Sequence, residues 1–181
     1  SRAHRRNLDS VRIVEKEFLD FLGQMVAILD AVLDKFESQY TKIFDTLSSL
    51  VKKEKPTKAD AQIFHLHIPN NLVAHSRFFE GLSNPEWLPL LNDEGVFLDP
   101  PKSENNLDDG SVRYPPWPAA VYLEKMASVN PDLVITILEK IKDTDNVSVK
   151  NSLLMIGVAL PADKKKSIVN KAREWMNIPH R

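Results

Sequence analysis

The sequence predicts an all-α protein: a long N-terminal amphipathic helix, then short antiparallel helix pairs stacked as a HEAT-like α-solenoid. Three observations carry that prediction. Apolar residues recur at helical spacing along most of the chain. Asparagine–proline pairs and single prolines stand where successive helices would begin. The later helical segments are joined by very short connections, which place neighbouring helices antiparallel. The predicted division is an arm over residues 1–55 and a helical-repeat domain over 56–181, interrupted by a proline-rich loop at about 96–116.

The first helix has the clearest period. Phe18, Leu22, Met25, Leu29, Val32 and Phe36 step by four, three, four, three and four, a heptad seam. An extra step of four to Tyr40 follows, and Ile43, Leu47 and Leu50 resume the pattern. Such a stutter locally unwinds a coiled coil. No proline occurs before Pro56, and Gly23 is the single glycine of this stretch. The seam predicts pairing with a partner helix, with a second copy, or with the rest of the chain.

KKEKPTKAD is a break. Thr57 would cap a second helix reaching Leu66, and Asn70 or Asn71 would start a third carrying Leu72, Val73, Phe78, Phe79 and Leu82. Asn84-Pro85 reads as N-cap and first helical residue of a short helix whose buried face holds Trp87, Leu88, Leu90 and Leu91. Gly95 ends it, and Val96-Phe97-Leu98 is expected to anchor an extended segment in the core. DPPKSENNLDDGS is a polar loop with a tight turn at Asp109-Gly110. Helices follow from Ala119 to Ala127, from Asn130-Pro131, from Asp145 or Asn146, and from Pro161, the last with Ile168, Val169, Ala172 and Trp175 inward.

Between Asn84 and Pro118 lie seven of the 12 prolines and two of the three tryptophans. Two readings of that concentration stand side by side. In one, Trp87 and Trp117 fill junctions between helix hairpins. In the other, Trp87, Phe97, Tyr114 and Trp117 rim a groove for a partner protein.

Bulk composition excludes several classes. Net charge is −1, so no global field draws the chain to nucleic acid or an anionic membrane. The absence of cysteine removes disulfides, thiolate zinc sites and cysteine nucleophiles, and agrees with a cytoplasmic setting. No apolar run reaches membrane-spanning length. His65, His67 and His75 lack a zinc-ligand spacing. Asp143-Thr144-Asp145-Asn146 resembles the start of a calcium loop, but the turn glycine is missing and Leu154 occupies the twelfth position, so helix capping is expected there. Asp99, Glu104, Asp108 and Asp109 sit in a polar loop with nothing to raise a carboxyl pKa. No phosphate loop, dinucleotide fingerprint or nucleophile elbow is present. The expectation is therefore no catalytic residue, no cofactor and no metal.

The order NPEWLPLLNDEGVFLDPP, RYPPWPAAVYLEKMA, NPDLVITILEKI and TDNVSVKNSLLMIGVALP resembles a helical segment of large, mostly uncharacterised bacterial proteins. Trp87, Leu88, Leu91, Gly95, Phe97, Pro100, Pro101, Trp117, Pro118, Tyr122 and Leu123 fill its pattern, which covers residues 78–176. The resemblance implies a non-catalytic HEAT-like segment of a larger protein, in some cases attached to NTPase or other effector modules. The N-terminal serine agrees with a piece of a longer chain whose activity resides elsewhere. The expected function is a protein-interaction or scaffold module. It would bind a protein partner, or a second copy, through the long helix. The alternative is a nucleic-acid-binding array using Lys164, Lys165, Lys166, Lys171 and Arg173 of the C-terminal basic helix.

Overall fold

A computed structural model describes residues 2–69, 71–106 and 110–176, with side chains from residue 16 onward apart from Glu17 and His67. Among these residues the protein is mostly helical: α1 (Arg2–Val51), α2 (Lys58–His67), α3 (Leu72–Gly81), α4 (Trp87–Asp93), α5 (Ala119–Met126), α6 (Pro131–Lys140), α7 (Val147–Ala159) and α8 (Val169–Met176). A single 3-10 turn, Lys165–Ile168, leads into α8.

The chain divides into two compact units, Ser1–Phe44 and Asp45–Arg181. The second unit therefore begins within α1, ahead of the KKEK break at residues 52–55. The physical reason is visible in the stutter. Leu47 and Leu50, which follow the register change, are buried in the core, whereas the seam residues before it are exposed.

In the second unit, α5 packs on α3, α6 and α7, while α2 packs on α4 and α7 on α8. The core is aromatic at one end. Phe64, Phe78, Phe79 and Trp87 are buried together, with Phe64 stacked on Phe78 at 4.2 Å and Phe78 edge-on to Trp87 at 5.5 Å. Aromatic pairs in such geometry add to the burial of their area. Leu72 and Val73, by contrast, point outward on α3. At the other end Ile168 and Trp175 close over α7, whereas Val169 is exposed.

Asparagines hold the helix starts. Asn71 accepts from Ala74 N, and Asn130 from Leu133 N. Asn84 does not cap α4 directly. Its Oδ1 accepts from Glu86 N at 3.0 Å, forming a turn ahead of the helix, and its Nδ2 donates to the Lys53 and Glu54 carbonyls. The Asn84 carbonyl in turn accepts from the Tyr122 hydroxyl at 2.6 Å. Burial pushes the Tyr122 hydroxyl pKa up, against a smaller opposing effect of a Leu88 backbone hydrogen bond. Lys125 donates to the Glu80 carbonyl at 2.6 Å and the Leu82 carbonyl at 3.1 Å, a cation at the C-terminal end of α3.

Two expectations are corrected. Val96-Phe97-Leu98 is not extended but forms turns, with Leu98 N donating to Gly95 O and Gly95 at φ +73°. A tight turn buries Phe97 without a strand partner for its neighbours. The polar loop also contains a short antiparallel pairing, β1 (Glu104–Asn105) with β2 (Val112–Arg113), in register Glu104↔Arg113 and Asn105↔Val112. Gly110, at φ +69°, lies in its connection. Asp108 and Asp109 lie outside the described residues.

Candidate functional site

Two surfaces bear on function, one in each unit. The first is the face of α1 before the stutter. Phe18, Leu22, Met25, Leu29, Val32 and Phe36 are each between 40% and 59% exposed. Leu19, Phe21, Val26, Ile28 and Leu33, on either side of that seam, are equally open. The aromatics continue down the helix, with Phe36 on Tyr40 at 6.5 Å and Tyr40 on Phe44 at 6.2 Å. Large apolar side chains are thus exposed contiguously over several turns, unlike isolated exposed ones, which need no explanation.

The second surface is a groove of about 800 Å³ in the helical domain. Phe64, Leu72, His75 and Phe79 of α2 and α3 form one side, and Pro100, Pro101, Pro115, Pro116 and Trp117 form the other. Arg113 and Glu104 pair across the hairpin at 3.6 Å on its rim.

Of the four groove residues expected from the sequence, two lie away from the surface. Trp87 and Phe97 are wholly buried and are not presented as surface anchors, whereas Trp117, 6% exposed, lines the groove. The size and apolarity of Trp87 and Phe97 drive them into the core, where α4 and the following turn seat them. Tyr114 is the one that faces solvent.

The centre that orders the proline segment was not legible as such. Asn146, with no exposed surface, caps α7 by accepting from Ser148 N at 2.9 Å and Val149 N at 3.3 Å. Its amide then donates to the carbonyls of Pro101 at 2.9 Å and Pro115 at 2.8 Å. One side chain thus joins both ends of the loop to the start of α7. Next to it, Asp145 accepts from Ser103 N and from the Ser103 hydroxyl. Capping was expected for this stretch; the amide contacts join segments 31 and 45 residues apart, which no local pattern reports.

Ionisable groups are placed for stability. Lys53 and Thr57 donate to the buried carboxylate of Asp60. Burial alone would raise its pKa, but the hydrogen bonds from Lys53 and Thr57 together outweigh it and hold Asp60 below its ordinary value of 3.8. His75, half-buried with its ring 5.1 Å from Phe64, is pushed below 6.5 by burial. Its neutral form is the one the fold prefers. That contribution is present above pH 6.5 and is lost as pH falls through the lowered folded value. Asp60 behaves alike at lower pH, its contribution present above 3.8 and lost below it. Urea midpoints at pH 7.5 and 5.5 are expected to drop for the wild type and to change less in His75→Phe; equal drops would show that His75 is not responsible.

Among the described residues no group of three or more metal-ligating side chains occurs, and no helix is long and apolar enough to cross a membrane. Two of the five C-terminal cations are engaged by carboxylates: Lys164 with Asp132 at 2.5 Å and Lys171 with Glu174 at 3.3 Å. No family model, curated protein or solved structure matches the chain. The motif residues Trp87, Leu88, Leu91, Phe97, Trp117, Tyr122 and Leu123 are accounted for by packing, since all are buried.

Proposed function

We propose that this chain is a non-catalytic protein-interaction or scaffold module of a larger bacterial protein, working in the cytoplasm through the apolar face of α1. The observation that carries the reading is that face: large apolar side chains, about half exposed, from Phe18 to Tyr40. Burying them against another polypeptide supplies binding free energy without chemistry. The helical domain serves as the platform. Its contacts, α2 with α4, α3 with α5 and α5 with α7, are the next-but-one contacts of stacked helix hairpins and support a HEAT-like arrangement. The nucleic-acid alternative is weakened by the ion-paired lysines near the C-terminus.

The reading is tested with a photo-crosslinking side chain placed at Leu29, on the apolar face, or at Asp34, on the polar face. In an extract of the native host, crosslinks to protein are expected from position 29 and not from 34. No protein crosslink from position 29 would refute the reading.

A further inference from the structure

We infer that the apolar face of α1 is covered by further copies of this chain, in a closed bundle of at least three α1 helices. The inference rests on the interaction reading above and names the partner.

The width of the face decides the number of helices. With Phe18 at heptad position d, the seam residues fill positions a and d. Leu19, Val26 and Leu33 then fall at e, and Phe21 and Ile28 at g. In a two-stranded coiled coil the e and g positions border solvent and carry charge. Here they are apolar. At 3.6 residues per turn the four positions together span about 160° of the helix. One partner helix covers the a and d seam and leaves e and g wet. A closed ring of three or four helices gives each helix two neighbours and covers all four positions.

The amount of surface agrees. The exposed apolar side chains from Phe18 to Tyr40 amount to on the order of 1,000 Å². Patches on monomers seldom exceed about 600 Å², and a stable interface takes about 800 Å² from each partner.

Charge favours copies over other occupants. Residues 17–41 hold five carboxylates and one lysine. Asp20, Asp30, Asp34 and Glu37 occupy b and f, the outer face of such a bundle, where like charges on neighbouring helices stay apart. That acidic face repels nucleic acid and anionic lipid, whereas helices that lie on membranes carry Lys and Arg there. Between Phe18 and Phe36 the one charged side chain at e or g is Lys35, too few to select a different chain. The stutter at Tyr40 ends the bundle by turning the stripe, and Leu47 and Leu50 serve the helical domain instead.

Sedimentation equilibrium of the purified chain at micromolar concentration tests this. The expected mass is at least three times the 20.6 kDa of one copy. Leu22→Asp/Leu29→Asp is expected to sediment as a monomer. Phe21→Glu/Ile28→Glu keeps the a and d seam and is expected to fall to dimers. A wild type of dimer mass overturns the argument from width. A monomeric wild type overturns self-association, and the crosslinker at Leu29 then separates the two failures. Crosslinks to another protein would keep the interaction reading and remove the copies; none would remove both.

Discussion

Asn146→Ala is expected to lower the stability of the helical domain by about 3 kcal/mol. The loss has two parts. Removing an N-cap costs about 1 kcal/mol. Leaving the part-buried Pro101 and Pro115 carbonyls without their donor costs about 1 kcal/mol each, the low end of the range for a buried group. Asn146→Asp separates the parts. It retains the acceptor that caps α7 through Ser148 N and Val149 N, but turns a second oxygen toward the two proline carbonyls. If capping were the whole role, the aspartate would be nearly neutral. The expected result, by urea denaturation at pH 7, is an aspartate variant at least as unstable as the alanine one.

Trp87→Ala is expected to cost about 3–5 kcal/mol, as large-to-small changes at buried aromatics do. Trp87 has no exposed surface and meets Phe78 edge-on, so its loss opens a cavity at the aromatic end of the core. Trp87→Phe is expected to cost only about 1 kcal/mol. It retains most of the packing and removes an indole N–H that has no hydrogen-bond partner among the described residues. Thermal melts of the two variants check both values; a Trp87→Ala variant as stable as wild type would contradict the packing described here. The burial has a practical consequence. A Trp87→Ala change perturbs the fold, so lost binding in such a variant would say nothing about a surface.

What was legible in the sequence follows the range of the forces involved. Helix starts were readable because capping is local: Thr57, Asn71, Asn130 and Asn146 stand at or beside the helices they begin. The α1 seam was readable because its period is local too. Its width is local as well, carried by the apolar residues at e and g beside the seam. The division into compact units falls ahead of the KKEK break, because that break marks where a helix ends and not where a core begins. The burial of Trp87 and Phe97 is not legible, because composition reports aromatic content and not which face it occupies. The loop contacts of Asn146 and the contacts of Lys125 are not legible because their partners, the Pro101 and Pro115 carbonyls and the end of α3, lie far along the chain. The buried Lys150, 3.9 Å from Asp143, stands on a helix whose apolar residues gave no hint of it.

The central claim is a division of labour: the face of α1 before the stutter associates with other chains, and the unit from Asp45 onward folds on its own contacts. Circular-dichroism melts of the full chain, taken across a range of concentrations with and without Leu22→Asp/Leu29→Asp, test it most directly. The account predicts two transitions in the wild type, one for α1 that rises with concentration and one for the helical domain that does not. The double variant should lose only the first. A single transition, independent of concentration and lowered as a whole by the double variant, would place the α1 face inside one core and contradict the account.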